Sequence, residues 1–210
     1  MSLNKTQQLA LLIGLIVALI LFFKPTNVEV SSSQLAPNAT ILAFGDSLTF
    51  GYGAVNAAYP LALAKLSGKK VINAGISGEV STNGLGRLPA LLEQYHPALL
   101  ILCHGGNDIL RRRSQDQLKA NLGKMVTMAQ ESGAQVLVVG VPGFGLFGAS
   151  TLALYGEVAT EMGVLYEGAI LEKIENDTTL KSDQIHPNAL GYRLMAEAFF
   201  EVLIANGVLN

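Results

Sequence analysis

The residue that first suggests chemistry is a serine at the end of a short apolar run. Residues 41–44 (Ile-Leu-Ala-Phe) break into Gly-Asp-Ser at Ser47, and glycines follow at positions 51 and 53. A short apolar run bounded by glycine is typical of a buried parallel strand, and open α/β sheets bind ligands just beyond the carboxyl ends of such strands. A serine there can act as a nucleophile only if the chain also supplies a base, a group that orients the base, and donors for an oxyanion.

Candidates for these three roles occur later in the chain. His186 follows Asp183 by three residues in Asp-Gln-Ile-His-Pro, so a single turn can lay the carboxylate against one imidazole nitrogen while the other nitrogen faces the serine. Asn107 follows the apolar run 99–103 and carries an amide donor that is neutral at any pH. Gly78 offers a backbone N–H that a residue without Cβ can bring close to a ligand.

In chain order, Ser47, Gly78, Asn107 and His186 match the four blocks of the GDSL, or SGNH, hydrolase family, which the chain resembles from about residue 40 to about residue 207. Segment 84–92 (Gly-Leu-Gly-Arg-Leu-Pro-Ala-Leu-Leu) further resembles the bacterial branch of periplasmic thioesterases, lysophospholipases and arylesterases. The position two after the serine is threonine, which departs from the G-x-S-x-G pattern of α/β-hydrolases.

The resemblance implies a catalytic triad of Ser47, Asp183 and His186. It also implies an oxyanion hole formed by the N–H groups of Ser47 and Gly78 and the amide of Asn107. The implied activity is that of a serine ester hydrolase, which cleaves acyl or aryl esters, thioesters or lysophospholipids through an acyl-enzyme, with no metal and no other cofactor.

Each candidate also has a purely structural interpretation. Ser47 could cap a helix, and Asn107 could be an ordinary turn residue. His104 and His96 compete with His186 for the role of base. We expect His96, which precedes a proline, at the surface, and His104 in the wall of the site.

Other residues in these blocks are expected to have structural roles. We interpret Asp46 and Asp108 as cap or turn residues. The run Arg111–Arg113 is interpreted as a solvated face, with attraction of an anionic head group as the alternative. Cys103 is the only cysteine, so it cannot form an internal disulfide, and we expect it to be a small buried hydrophobe.

Two other functions compete with the serine esterase. A carbohydrate or peptidoglycan O-acetylesterase would use the same four blocks. A flavodoxin-like FMN-binding module, which is not an enzyme, would use the same fold and its glycine loop. The net charge of −2 gives no electrostatic footprint for nucleic acid.

The amino-terminal sequence is typical of an export signal or a membrane anchor. Lys5 precedes an uncharged run of fifteen residues, 9–23, which is short for a spanning helix but suits a signal sequence. We predict a signal peptide or membrane anchor at residues 1–25, a linker at 26–39 and one hydrolase domain at 40–210. The alternative, a core helix, conflicts with the polar linker. The expected location is periplasmic or otherwise extracytoplasmic, with membrane contact through this segment.

The remaining pattern predicts an α/β fold in which short strands alternate with helices, as in parallel βαβ units arranged as a three-layer α/β/α sandwich. The resemblance implies a five-stranded parallel sheet with strand order 2-1-3-4-5. Strands are predicted at 41–44, 71–72, 99–103, 135–141 and 164–166, and helices at 59–66, 82–95, 115–131, 149–161 and 188–204. The helix at 82–95 is expected to be interrupted early by Gly84 and Gly86.

The apolar glycine-rich segment 142–148 is predicted to be a loop at the ligand-binding edge. Its large side chains, Phe144, Leu146 and Phe147, would be left without a core unless they covered something. We expect them to bind the acyl part of a substrate, although either phenylalanine could instead fold back onto the following helix.

Overall fold

The computed structural model describes residues 30, 32–146 and 148–210. The predicted signal or anchor at 1–25, most of residues 26–31 and the substrate-binding candidate Phe147 lie outside the described residues. None of the helices within the described part of the chain is both long and apolar enough to cross a membrane.

Five parallel strands form the central sheet in the order β2-β1-β3-β4-β7, which is 2-1-3-4-5 when only these strands are counted. A separate antiparallel hairpin, β5–β6, lies outside it. The strands are β1 (Thr40–Gly45), β2 (Lys70–Gly75), β3 (Leu99–Cys103), β4 (Gln135–Val139), β5 (Pro142–Gly145), β6 (Gly148–Thr151) and β7 (Leu165–Glu167). The predicted sheet is confirmed.

Helices cover both faces of the sheet. They are α1 (Ser47–Phe50), α2 (Tyr59–Ser67), α3 (Ser81–Tyr95), α4 (Gly106–Leu110), α5 (Gln115–Glu131), α6 (Ala153–Met162), α7 (Ile170–Glu175) and α8 (Ala189–Ala205). Short 3₁₀ turns occupy Val55–Ala57 and Thr178–Leu180. Helices α2 and α8 pack together on one face, while α3, α5 and α6 pack in series on the other. The three-layer sandwich follows from this arrangement.

The core explains why the central strands read as continuous apolar runs. Residues 41–44 of β1 and all five residues of β3, including Cys103, are fully buried, because helices cover both sides of these strands. The expectation of a buried cysteine is confirmed.

The structure differs from the sequence-based prediction in the segment after β4. Residues 142–151 form the hairpin β5–β6 where a loop and the start of a helix were predicted, and α6 begins at Ala153 rather than at residue 149. Glycine and proline are depleted in strands, so the composition of β5 gave no strand signal. Helix α7 was not predicted at all.

The last part of the predicted linker lies against the domain. Leu35 is buried, and its N–H donates to the carbonyl of Val208. The Ser33 N–H donates to the side chain of Gln135, the first residue of β4. The chain therefore joins the domain at the amino-terminal edge of the sheet.

Candidate active site

Ser47 lies at the carboxyl edge of the sheet, as the first residue of α1 directly after β1. The carboxylate of Asp46 caps this helix by accepting the N–H of Leu48 at 3.1 Å. Asp46, not Ser47, is therefore the cap, and the hydroxyl of Ser47 is left free for another partner. The serine is partly exposed.

Asp183 and His186 occupy one tight turn before α8. One oxygen of Asp183 accepts the backbone N–H groups of Ile185 and His186 at 2.9 and 2.8 Å. Its other oxygen lies 2.8 Å from Nδ1 of His186. The Ser182 N–H donates to the carbonyl of His186 at 2.8 Å and closes the turn. The spacing of three residues thus brings the carboxylate and the ring together within one local structure.

The ring of His186 joins this turn to the serine. Its Nε2 lies 3.0 Å from Oγ of Ser47, while its Nδ1 faces the carboxylate of Asp183. Since an ionised carboxylate only accepts hydrogen bonds, Nδ1 carries the hydrogen and Nε2 is free to accept from the serine hydroxyl. The three predicted triad residues are therefore in one continuous hydrogen-bonded chain.

The loop that carries Gly51 and Gly53, directly after α1, packs against the turn that carries His186. The ring of Tyr52 lies 4.5 Å from that of His186, and the Tyr52 carbonyl accepts the hydroxyl of Tyr192. A Cβ on Gly53 would lie 2.1 Å from Oγ of Ser182, so only glycine permits this approach. Tyr52 was not recognised from the sequence, which gives no signal for this contact.

The two other predicted oxyanion donors follow β2 and β3, the strands on either side of β1. Asn107, in the first turn of α4, is half-buried, and its amide makes no hydrogen bond to any other described residue. Gly78 is exposed with φ 79°, in the left-handed region, and its carbonyl accepts Nη2 of Arg111 at 3.0 Å. Among the described residues nothing accepts its N–H.

The charges of the two carboxyl groups beside the triad are set by opposing effects. Partial burial opposes ionisation of Asp183, but the N–H groups of Ile185 and His186 and the imidazole ring lower its pKa overall. Complete burial raises the pKa of Asp46, against the opposing effects of His104 and the N–H of Leu48. Asp183 is therefore ionised throughout the neutral range.

The other two histidines do not reach the serine. His96 is exposed at the end of α3, as expected. His104 is fully buried, and its Nε2 lies 3.1 Å from the carboxylate of Glu79. Asp108 accepts both the N–H and the hydroxyl of Ser81, at 2.7 and 2.8 Å, so it ties the first residue of α3 to α4.

A largely apolar cleft of about 460 Å³, including its open mouth, adjoins Ser47. Its walls are Leu48, Asn107, Ile109, Leu110, Val141, Pro142, Phe144, Leu171, Glu175, Ile185 and His186. Phe144 thus lines the cleft, whereas Leu146 at the hairpin tip is 98% exposed and does not line it.

Two further features near the cleft could not be read from the sequence. Glu175 has a buried carboxylate in the wall of the cleft, and Nζ of Lys181 binds it. The same Nζ donates to the carbonyl of Gln184, so the pair supports the turn that carries His186. Burial raises the pKa of Glu175, although Lys181 acts in the opposite direction. The run Arg111–Arg113 is exposed, and Arg111 turns back to Gly78.

Comparison with known proteins decides the family. The model of the GDSL-like lipase/acylhydrolase family matches residues 43–194, which span all four blocks. The chain belongs to this family. The sequence-based prediction of a GDSL-type hydrolase is confirmed, and the alternative of an FMN-binding module does not fit this family.

Several relatives of this GDSL hydrolase carry curated names. It is 35% identical to "Esterase TesA" of Pseudomonas aeruginosa over 74% of this chain and 83% of that protein. It is 30% identical to an arylesterase of Vibrio mimicus over 90% and 97% of the two chains. It is 33% identical to thioesterase 1/protease 1/lysophospholipase L1 of Escherichia coli over 71% and 76%. A crystal structure of TesA matches with a TM-score of 0.71 and 31% identity, over 78% of this chain and 97% of that one.

Proposed function

We propose that this GDSL hydrolase is an esterase that cleaves acyl or aryl esters, acyl thioesters or lysophospholipids through an acyl-enzyme on Ser47. The observation that carries the proposal is the chain of hydrogen bonds from Ser47 through His186 to Asp183, which opens into an apolar cleft. The named activities of the relatives support the substrate classes.

In the first half of the reaction, Nε2 of His186 takes the proton of the Ser47 hydroxyl as Oγ attacks the carbonyl carbon of the substrate. The carbonyl oxygen becomes an oxyanion, which accepts hydrogen bonds from the N–H groups of Ser47 and Gly78 and from the amide of Asn107. The imidazolium then gives its proton to the leaving alcohol or thiol, and the acyl group stays on Oγ.

In the second half, His186 takes a proton from water as the water oxygen attacks the acyl carbon. The tetrahedral intermediate collapses when the imidazolium returns that proton to Oγ of Ser47, and the carboxylic acid leaves. Asp183 holds Nδ1 in the protonated tautomer and stabilises the imidazolium in both halves, without itself taking the proton.

The acyl part of the substrate would occupy the cleft beside Phe144, Leu171 and Ile185, and the apolar character of this wall supports that placement. Leu146, at the exposed tip of the hairpin, would contact a chain long enough to leave the mouth. This preference separates the proposal from the second candidate, an O-acetylesterase, which needs no room beyond two carbons. The enzyme would act outside the cytoplasm, exported or held by residues 1–25.

A substrate panel tests the proposal. Purified protein is assayed with p-nitrophenyl esters from acetate to palmitate, the matching acyl-CoA thioesters, a lysophosphatidylcholine and acetylated xylan, and each rate is compared with that of Ser47→Ala. Turnover of medium or long acyl substrates that is lost in Ser47→Ala supports the proposal. Turnover confined to acetylated glycan would favour the O-acetylesterase.

A further inference from the structure

The carboxylate of Glu79 is buried between the side chains of Arg87 and His104, close to the segments that carry Gly78 and Asn107. Glu79 is nearly fully buried and accepts Nε and Nη2 of Arg87 at 2.7–2.9 Å. Its Oε2 also lies 3.1 Å from Nε2 of His104, which is fully buried. Because an ionised carboxylate only accepts, Nε2 of His104 carries the hydrogen.

The ionised form of Glu79 is the one that this arrangement favours. Burial acts against the charge, but the hydrogen bond to His104 and the ion pair with Arg87 outweigh it and lower the pKa of Glu79. A buried carboxylate that keeps its charge needs all its partners, because each lost partner leaves a desolvated group unpaired. The geometry of the three side chains is therefore tightly constrained.

Arg87 extends the contact to the two strand ends beside the site. Its Nη2 also donates to the carbonyls of Gly45 and Ala74, at 3.2 and 2.8 Å. Its guanidinium lies 4.2 Å from the centre of the Phe44 ring. The same group thus touches the end of β1, just before the serine, and the end of β2, just before the Gly78 loop.

The ends of this network lie next to the two proposed oxyanion donors. Glu79 directly follows Gly78, and His104 precedes Asn107 by three residues. The 3.1 Å contact between Glu79 and His104 therefore joins the segment that carries Gly78 to the segment that carries Asn107. Helix α3 approaches the ring of His104 so closely that a Cβ on Gly84 would lie 2.4 Å from Nε2.

We propose that His104 is a positioning residue, which fixes the distance between Gly78 and Asn107 through its hydrogen bond to the Glu79–Arg87 pair. This inference rests on the function proposed above, because it concerns how the two donors reach one oxyanion. It assigns a task to a buried histidine that takes no part in the triad. Its failure would leave the roles of Ser47, Asp183 and His186 unchanged.

A double-mutant cycle tests the inference. In the wild-type background, Asn107→Ala should lower kcat by about 10²–10³, the loss expected for one oxyanion donor. His104→Leu alone should lower kcat by about 10–100-fold with KM changed less than threefold, because a misplacement of the order of 1 Å costs this much. In the His104→Leu background, Asn107→Ala should then cost only about tenfold, because the donor is already out of place.

Two variants separate positioning from mere support of the fold. His104→Gln keeps a hydrogen-bond donor near the position of Nε2 and should restore kcat to within about threefold of wild type. His96→Leu, at the exposed histidine, is the matched control and should leave kcat unchanged. Titration with a phosphonate that labels Ser47 corrects every kcat for the fraction of folded enzyme.

The outcomes are distinct. Fully additive losses in the cycle, or a failure of His104→Gln to restore kcat in correctly titrated enzyme, would overturn the positioning role. If His104→Leu does not fold, the same cycle with Arg87→Lys, which loses the paired contact but keeps the charge, must show the same reduced cost of Asn107→Ala. Absence of a phosphonate adduct on Ser47 in the wild type would instead contradict the proposed function itself.

Discussion

The carboxylate of Asp183 accepts three hydrogen bonds from residues two and three positions further along the chain. Asp183→Asn keeps the shape of this turn, because one oxygen remains for the backbone N–H groups. The new amide NH₂ would face Nδ1 of His186, however, and would favour the tautomer with hydrogen on Nε2. That tautomer cannot accept the proton of Ser47.

We therefore predict that Asp183→Asn lowers kcat by several orders of magnitude, about 10⁴-fold in the well-studied serine-protease triad, while the fold is retained. Asp177→Asn is the matched control, because Asp177 caps Thr179 through the same kind of local hydrogen bond but lies outside the cleft. Steady-state kinetics of both variants give the comparison. Equal effects of the two substitutions would show that the carboxylate serves only the turn.

Asp183 also has a consequence for pH. Its folded-state pKa is lowered from the ordinary value of 3.8, so its contribution to stability is complete above that value and is lost as the pH falls through the folded pKa. We predict that the loss of stability through this group begins only below about pH 4. A pH titration of the melting temperature, with Asp183→Asn as the reference, measures the contribution. A contribution of Asp183 to the melting temperature that is already lost at pH 6 would contradict this prediction.

Residue spacing predicted only the contact between Asp183 and His186, whereas the meeting of His186 with Ser47, 139 residues away, was implied by the family resemblance. Asp183 and His186 share one turn, and Ser47 immediately follows its strand. The contacts of Glu79 could not be found in this way, since His104 is 25 residues away and their meeting depends on the packing of α3 against the sheet. No spacing rule connects residues on separate loops.

At the scale of elements, the central sheet was predictable and the hairpin was not. The apolar runs of β1 and β3 are long and uninterrupted, so tertiary packing only reinforces the local signal. Helix α3, by contrast, runs from Ser81 through both Gly84 and Gly86, where glycine argued for an early interruption. The close approach of Gly84 to the His104 ring explains one of these glycines.

Phe144, in the hairpin β5–β6, leads to a prediction about the acyl chain length that the enzyme prefers. Phe144 lines the cleft while 54% exposed, so an acyl chain that covers it gains apolar contact. Each buried methylene contributes about 0.8 kcal/mol, so kcat/KM should rise about fourfold per added carbon until the cleft is filled. Phe144→Ala should flatten this rise and leave acetate turnover nearly unchanged.

The measurement is kcat/KM for p-nitrophenyl esters from two to twelve carbons. Leu146→Ala should alter the profile less than Phe144→Ala, because Leu146 does not line the cleft. Leu66→Ala, an exposed leucine on α2, is the control and should have no effect. A wild-type profile that is highest at acetate would contradict the proposed acyl preference and favour the O-acetylesterase.

For the whole molecule, the amino-terminal attachment and the cleft lie at opposite edges of the sheet. Ser33 and Leu35 contact the domain at the start of β4 and after α8, whereas Ser47 follows the end of β1. A domain of about 180 residues has a radius of gyration of about 16 Å, and therefore a diameter of about 40 Å. Residues 26–31 can span at most about 21 Å. Because this link is short, we predict that an anchored enzyme turns its amino-terminal edge toward the membrane and its cleft away from it.

This orientation can be measured on full-length protein reconstituted in vesicles. A fluorescent phosphonate on Ser47 should be quenched only weakly by nitroxide lipids, because Ser47 lies at the edge of the sheet opposite the amino-terminal attachment. The same dye on Ser33→Cys is the control and should be quenched strongly. Equal quenching at the two positions would contradict the orientation.

The most direct measurement of the central claim is the mass of the intact protein after treatment with a fluorescent phosphonate, followed by peptide mapping. We predict one adduct on the wild type, carried by Ser47, because covalent attack requires a hydroxyl activated by a base, and Nε2 of His186 lies 3.0 Å from it. Ser47→Ala should carry no adduct and show no turnover, while Ser132→Ala, at an exposed serine far from the cleft, should be labelled like the wild type. An adduct on a residue other than Ser47, or full turnover by Ser47→Ala, would contradict the account.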